Sequence, residues 1–207
     1  IRFADMVRPD DPERVFHIPD QQAPHRGGLR GLPLRSLGLD VRTGPVVDFR
    51  LREHLRDQLV PHSVPLLYAS HFVKGRLQWP QQGRRANAIA CNAQTERWLM
   101  PRGCYVVLRR LTSKEEKRRV VAYLLEDGAL PGGMLGFENH LNVIHQGRRG
   151  LPLALARGLV RYLNSQAVDA YFRTFSGHTQ VNAADLRRLR YPDVQELTRL
   201  GQERGTD

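Results

Sequence analysis

Over the first 35 residues the apolar positions keep no period. Pro9, Pro12, Pro19, Pro24 and Pro33 interrupt them, as do Gly27, Gly28 and Gly31. The segment reads as a linker or wrapping arm, with Phe3, Val15, Phe16 and Ile18 free to dock locally. From Leu37 the texture changes to short alternating or continuous apolar runs with turn residues between them, at 37–41, 46–49, 65–68, 76–79 and 86–90. That spacing predicts a mostly antiparallel sheet. Residues 103–108 and 120–125 are the strongest β segments, and the polar stretch 112–117 between them predicts a hairpin. Thr112 with Glu115 also satisfies a helical capping box, but branched Val120 and Val121 favour the strand. After Pro152 the period becomes helical: Leu155, Leu159 and Leu163 share one face and Arg157 and Arg161 another. A second helix is expected over 165–175, presenting Val168, Tyr171, Phe172 and Phe175. A third is expected from Asp193, with Glu196 three residues on, to Gly201. The pattern predicts an α+β fold, a twisted, mainly antiparallel β-sheet near residues 36–145 followed by a C-terminal helical section.

With 207 residues and 41% hydrophobic content, the chain can bury roughly 70% of its unfolded surface without disulfides or a structural metal. A disulfide-stapled miniprotein, a collagen-like fibre and a disordered tail are excluded. The two cysteines, Cys91 and Cys104, sit in apolar contexts, and no apolar run reaches the roughly 18 residues of a membrane span. A cytoplasmic setting without a membrane is expected. The chain opens at Ile1 with no signal-peptide layout and is expected to be a piece of a longer polypeptide.

Charge changes the picture most. The formal charge is +11 and the pI about 10.6, values typical of a domain that meets a polyanion. All but Lys74, Lys114 and Lys117 of the 32 basic residues are arginines. Guanidinium forks grip phosphates and guanine edges, and a GC-rich coding sequence produces the same bias. Basic residues cluster at Arg84-Arg85, Arg109-Arg110, Lys114 with Lys117-Arg118-Arg119, Arg148-Arg149, and Arg187-Arg188 with Arg190, several of them at predicted turns. Any one pair is ordinary solvated surface; five in one domain point to a DNA-sized partner.

Enzyme signatures are absent: no G-x-S-x-G elbow, no P-loop, no G-x-G-x-x-G, no H-E-x-x-H and no paired C-x-x-C occurs. Glu138, His140 and His145 suggest a nuclease metal site, although on a strand His140 and His145 would face opposite ways. The plainer reading is polar positions at a strand's end. In the 175–185 segment, Gly177 gives backbone freedom. His178, Thr179, Gln180 and Asn182 carry donors and acceptors for holding a loop, with direct base contact as the lesser role.

These residues carry a resemblance. The stretches 41–50 and 65–68, His71-Phe72, Trp79-Pro80, Tyr105 through Arg119, Gly136 through Asn142, and Leu163-Asn-Ser165 belong to it, as does Gly177-His-Thr-Gln-Val-Asn-Ala-Ala-Asp-Leu-Arg187. Together they resemble the C-terminal target-recognition region of type II restriction-modification DNA adenine-N6 methyltransferases, the group with a TaqI-like specificity domain. The Gly-His-Thr-Gln-Val-Asn run is the most specific, and Leu-Asn-Ser followed by a Gly-x-x-Gln loop is similar to type I specificity subunits too. Where the group commonly shows Asn-Ala-Thr-Asp, this chain has Ala184.

The resemblance implies a parent enzyme that uses S-adenosylmethionine to methylate adenine, gripping the flipped base with an Asn/Asp-Pro-Pro-aromatic tetrapeptide. No Pro-Pro pair exists here, and Gly132-Gly133 lies between strand-like segments, so no cofactor is expected in this fragment and it is expected to be inactive alone. Residues 1–35 become the arm from a missing N-terminal methyltransferase domain, and 36–207 the DNA target-recognition domain. Its partners are double-stranded DNA and that missing domain. The expected DNA-facing residues are Arg109, Arg110, Lys114, Lys117, Arg118 and Arg119 around one hairpin, with Thr43, Lys74 and Arg76 on adjacent loops and Arg148 and Arg149 at a further turn. The rival readings are a metal-dependent nuclease and an interaction module with an Arg-rich surface.

Overall fold

The computed structural model describes residues 29–83, 85–112, 118–174 and 180–203. The expected arm over 1–28 lies outside them, as do Arg84, Lys114, Lys117, His178 and Thr179. Thirteen short strands are formed by these residues, all but the last before residue 146: β1 (Leu32–Pro33), β2 (Asp40–Thr43), β3 (Leu55–Arg56), β4 (Ser63–Leu67), β5 (Phe72–Val73), β6 (Arg76–Leu77), β7 (Ala88–Ala90), β8 (Met100–Pro101), β9 (Tyr105–Arg109), β10 (Ala122–Leu125), β11 (Met134–Phe137), β12 (Leu141–His145) and β13 (Arg190–Tyr191). Four helices complete them: α1 (Leu153–Leu163), α2 (Gln166–Thr174), α3 (Ala183–Arg188) and α4 (Val194–Gln202). The α+β class, with strands first and helices last, is as the pattern predicts.

The expected sheet is divided into two larger sheets, with β1-β13 and β5-β6 as separate two-stranded pairs. One runs β10-β9-β12-β2 and is antiparallel throughout; the other runs β3-β7-β4-β11-β8 and contains a parallel pair, β11 with β4. The division follows from β9. Its alternate residues Val106 and Leu108 pack with Leu155, Leu159 and Leu163 of α1, while Tyr105 and Val107 pack with Leu135 and Phe137 of the second sheet. A strand apolar on both faces needs a layer on each side. The molecule therefore stacks helices, four-stranded sheet and five-stranded sheet. A further apolar cluster, including Val64, Leu66, Tyr68 and Ile89, lies on the second sheet.

The predicted hairpin is present: β9 and β10 pair from Tyr105↔Leu125 to Leu108↔Ala122. At 46–49 the expected strand is absent. Val46 makes one isolated bridge to Glu138, and Asp48 Oδ1 accepts the Phe49 N–H at 2.6 Å, a local bond that turns the backbone away from a ladder. The 37–41 strand begins only at Asp40, because Gly38 adopts φ 72° and closes a short turn over Leu34–Leu37. In the 76–79 run only Arg76 and Leu77 pair, with Val73 and Phe72; the Trp79 indole instead donates to the Asn87 carbonyl at 2.9 Å. β1 pairs with β13, and Leu34 is fully buried in the helix-facing core, so the described end of the expected arm packs with the body.

The helices cover one face of the first sheet. Leu155, Leu159 and Leu163 are buried as their spacing requires. α1 and α4 cross backbone to backbone. A Cβ on Gly158 would lie 1.7 Å from the Leu197 carbonyl oxygen, and one on Gly201 1.8 Å from that of Ala154. Asp193 caps α4, accepting the Glu196 N–H at 2.8 Å. Helix α3 falls where the sequence reads as loop. Its start is marked by Asn182 and Asp185, the Asp185 carboxylate accepting the Asn182 N–H at 3.0 Å.

Candidate nucleic-acid interface

Strand register decides which of the expected contact residues meet. Leu141 opposes Arg109, and Asn142 opposes both Leu108 and Thr43, so Thr43, Arg109 and the start of β12 share one end of the four-stranded sheet. Arg110 extends β9 there, its N–H bonding the His140 carbonyl at 2.8 Å and its Nη1 the Asn139 carbonyl at 3.3 Å. The chain before α3 docks at the same end. Val181 N–H donates to the Arg110 carbonyl at 2.8 Å, and Gln180 bridges Leu111. Thus the structure brings together Thr43, Arg109, Arg110, Gln180 and Asn182, residues drawn from three separate stretches of sequence.

The return arm of the hairpin is fastened to the helices rather than standing free. Arg118 Nη1 donates to the Asn164 carbonyl at 2.5 Å, and the Arg119 N–H to Asp169 Oδ1 at 2.5 Å. Asn164 also closes on both backbone groups of Ala122, accepting its N–H at 3.0 Å and donating to its carbonyl at 2.8 Å. Edge strand β10, whose outer backbone groups would otherwise face solvent, is thereby capped by a side chain. Among the described residues, Arg119 Nη1 is the buried side-chain nitrogen that has no acceptor.

Lys74 and Arg76 sit on a tight hairpin beside the edge strand, with Lys74 at φ 48° and Gly75 at φ 80°. Phe72 at its base stacks on Tyr123 of β10, ring centroids 4.8 Å apart, and both basic residues are exposed. Arg148 and Arg149 are elsewhere. They follow His145, at the far end of β12, where Arg148 Nη2 donates to the Arg97 carbonyl at 3.0 Å and the Leu99 carbonyl at 3.3 Å. A cavity lined in part by Glu96, Arg97, Arg148 and Arg149 opens there. Arg187 is also committed, bonding Asp40 Oδ1 at 2.8 Å and the Val41 carbonyl at 2.7 Å. Burial raises the Asp40 pKa, but the bonds from Arg187, Val41 N–H and Arg35 outweigh it and hold that carboxyl below its ordinary value.

The trio of Glu138, His140 and His145 does not assemble. Glu138 is fully buried and bonds the ring of half-exposed His140, Oε1 to Nδ1 at 2.5 Å, and its Oε2 accepts the His140 N–H at 3.0 Å. His145 ends β12, the strand that starts just after His140, and so lies at the opposite end of the sheet, where its Nδ1 accepts the Arg148 N–H at 3.2 Å. Burial pulls the His145 pKa down, and Arg42, Arg148 and Arg187 add to this against the pull of Asp40. No group of three potential metal ligands exists among the described residues. Through its bonds to His140, Glu138 is tied to the turn that joins β11 to β12.

Sequence reasoning included Asn142 and Asn164 in the resembling stretches without giving them a role, and passed over Asp169. The signal for Asn142 was available as one polar residue inside the apolar run 141–144. Asn142 is fully buried, accepts the Thr43 hydroxyl at Oδ1 (2.9 Å) and donates from Nδ2 to the Val181 carbonyl (2.6 Å). No described helix is long and apolar enough to cross a membrane.

Comparison with known proteins gives two kinds of likeness. No family model matches. Among solved structures, the HsdS subunit from Thermoanaerobacter tengcongensis aligns with a TM-score of 0.43 and 12% identity over 96% of this chain and 39% of that one. A chain from a structure of a type I R-M system assembly aligns at 0.43 and 13%, over 88% and 39%. By sequence, the type II methyltransferase M.BsuBI of Bacillus subtilis is 44% identical over 202 residues, covering 96% of this chain and 40% of that protein. M.PstI of Providencia stuartii is 41% identical over 202 residues, covering 95% and 40%. The chain is thus homologous to the type II methyltransferases along nearly all of its length, and it spans about two-fifths of the length of the relatives it matches.

Proposed function

We propose that this chain is the DNA-reading part of an adenine-N6 DNA methyltransferase of the restriction-modification kind, the methyl transfer being performed by a domain outside the sequence described. The observation that carries the reading is the 44% identity to a type II methyltransferase over 202 residues that hold no Pro-Pro pair. A stretch that shares such an enzyme's ancestry and lacks the tetrapeptide for gripping the flipped adenine has recognition left to do.

S-adenosylmethionine belongs to the parent in this reading, and the Gly132-Gly133 turn does not fit it. Gly132 and Gly133 lead into a strand, β11, rather than into a helix whose N-terminus could face the cofactor. The partners are double-stranded DNA and the methyl-transfer domain, and the cell compartment is the cytoplasm. Residues 1–35 serve as the arm toward that domain and 36–207 as the recognition unit.

The DNA-facing wall is the Arg109-Arg110 end of the four-stranded sheet. Thr43, Arg109 and Arg110 stand there with Arg118, Arg119, Gln180 and Asn182, and Lys114, Lys117, His178 and Thr179, which lie outside the described residues, are counted among the contacts by their place in the sequence alone. Lys74 and Arg76 flank it. Arg148 and Arg149 are left out of this wall, since register sets them at the other end of β12. A guanidinium has five N–H donors, so the backbone bonds of Arg110 and Arg118 leave donors for phosphate.

The experiment is fluorescence anisotropy with a labelled mixed-sequence duplex at 50 and 200 mM salt. About six phosphate contacts would cost about 10³-fold in affinity between the two. A chain that binds no duplex at the lower salt would instead be an interaction module with an Arg-rich surface. Magnesium-dependent plasmid cleavage would revive the nuclease.

A further inference from the structure

Every other even-numbered residue that faces the helices from the middle of this sheet is apolar: Val106 and Leu108 on β9, and Ile144 on β12. Asn142 alone breaks the pattern on its strand, and it is fully buried. An apolar residue of similar volume would fill the position but leave the Thr43 hydroxyl and the Val181 carbonyl without their partner. What the amide supplies is geometry. Its oxygen accepts from Thr43, 99 residues away, and its nitrogen donates to the carbonyl of Val181, 39 residues away. Val181 is then held at both backbone groups, since its N–H already bonds the Arg110 carbonyl at 2.8 Å. Asn182 is extended (φ −83°, ψ 156°), Val181 is buried and Gln180 is exposed. With Val181 turned inward, its two neighbours point away from the core.

We infer that Asn142 is a specificity-positioning residue, one that never touches DNA but fixes the Gln180–Asn182 segment and Thr43 in register with Arg110, so that base contacts from three stretches of chain fall on one face. The inference rests on the DNA-reading role proposed above. Phosphate contacts come from exposed cations and tolerate small shifts, whereas a bidentate base contact does not. Loosening the clasp therefore separates the two kinds of binding.

The test is one round of selection from a pool of duplexes with a randomised core. It is run with the wild-type chain and with Asn142→Leu and Asn142→Asp, alongside anisotropy on the unselected pool and thermal unfolding. Leucine removes both bonds at similar size; aspartate keeps the acceptor for Thr43 and turns an oxygen toward the Val181 carbonyl. The expected result is enrichment of the preferred motif reduced at least about tenfold in both variants, with pool affinity and its salt slope unchanged. Wild-type enrichment in either folded variant overturns the inference and leaves the DNA-reading role standing. Failure of both variants to fold at 25 °C assigns Asn142 to the ordinary core and overturns it as well. A wild-type chain that enriches no motif takes down the role and the inference together.

Discussion

Three asparagines carry much of the long-range order, each by satisfying backbone groups of a segment remote in sequence. Asn142 holds Val181; Asn164 holds Ala122; Asn87 donates to the carbonyls of Asp57 and Gln81 while accepting the Gln81 N–H. Asn164→Ala removes two bonds to an edge strand and is expected to cost about 1–3 kcal/mol, read by urea unfolding. Two histidines set the response to pH. His71 Nδ1 accepts the Tyr68 N–H at 3.1 Å, and burial lowers its pKa as it does that of His145. The unfolded chain takes up a proton before the folded one does. Stability from both is therefore complete above the ordinary histidine value and is lost as pH falls through the lowered one. Urea midpoints should drop between about pH 7 and pH 5, and His145→Asn should flatten part of that slope. Such roles are hard to read from sequence, because an amide's partner depends on register across tens of residues. The cationic residues were legible as types; which of them are spent on carbonyls, as Arg118 and Arg148 are, was not.

At the level of elements, periodicity served where one period dominates. Leu155, Leu159 and Leu163 marked α1, Asp193 and Glu196 marked α4, and the 103–108 and 120–125 runs paired as the hairpin. It misled where side chains compete with the backbone, as Asp48 does, and it could not tell one sheet from two, because the apolar run of β9 looks the same whichever layers cover it. The glycine contacts between α1 and α4 were equally silent, since a lone Gly in a helix reads as a weakness rather than a crossing point. Gly158→Ala puts a methyl into the Leu197 carbonyl and should cost about 3 kcal/mol, seen as a lowered melting temperature. The same substitution at Gly133, where no atom lies within 4 Å of the added Cβ, should change the melting temperature little.

Across the whole molecule, a charge of +11 favours a polyanionic partner without saying where it would lie. Topology supplies the direction by sending Arg109 and Arg110 to one end of the central sheet and Arg148 and Arg149 to the other. Arg109 and Arg110, at the end of β9, are half-buried and Arg148 and Arg149 are exposed, so composition and charge are matched between the pairs. The decisive measurement is therefore duplex affinity at 50 mM salt for two double variants, Arg109→Ala with Arg110→Ala and Arg148→Ala with Arg149→Ala. If DNA lies against the hairpin end, the first loses at least about tenfold and a shallower salt slope shows two fewer phosphate contacts, while the second stays within about twofold of wild type. Equal losses in the two, or the larger loss at Arg148 and Arg149, would mean that DNA does not bind where the sheet points.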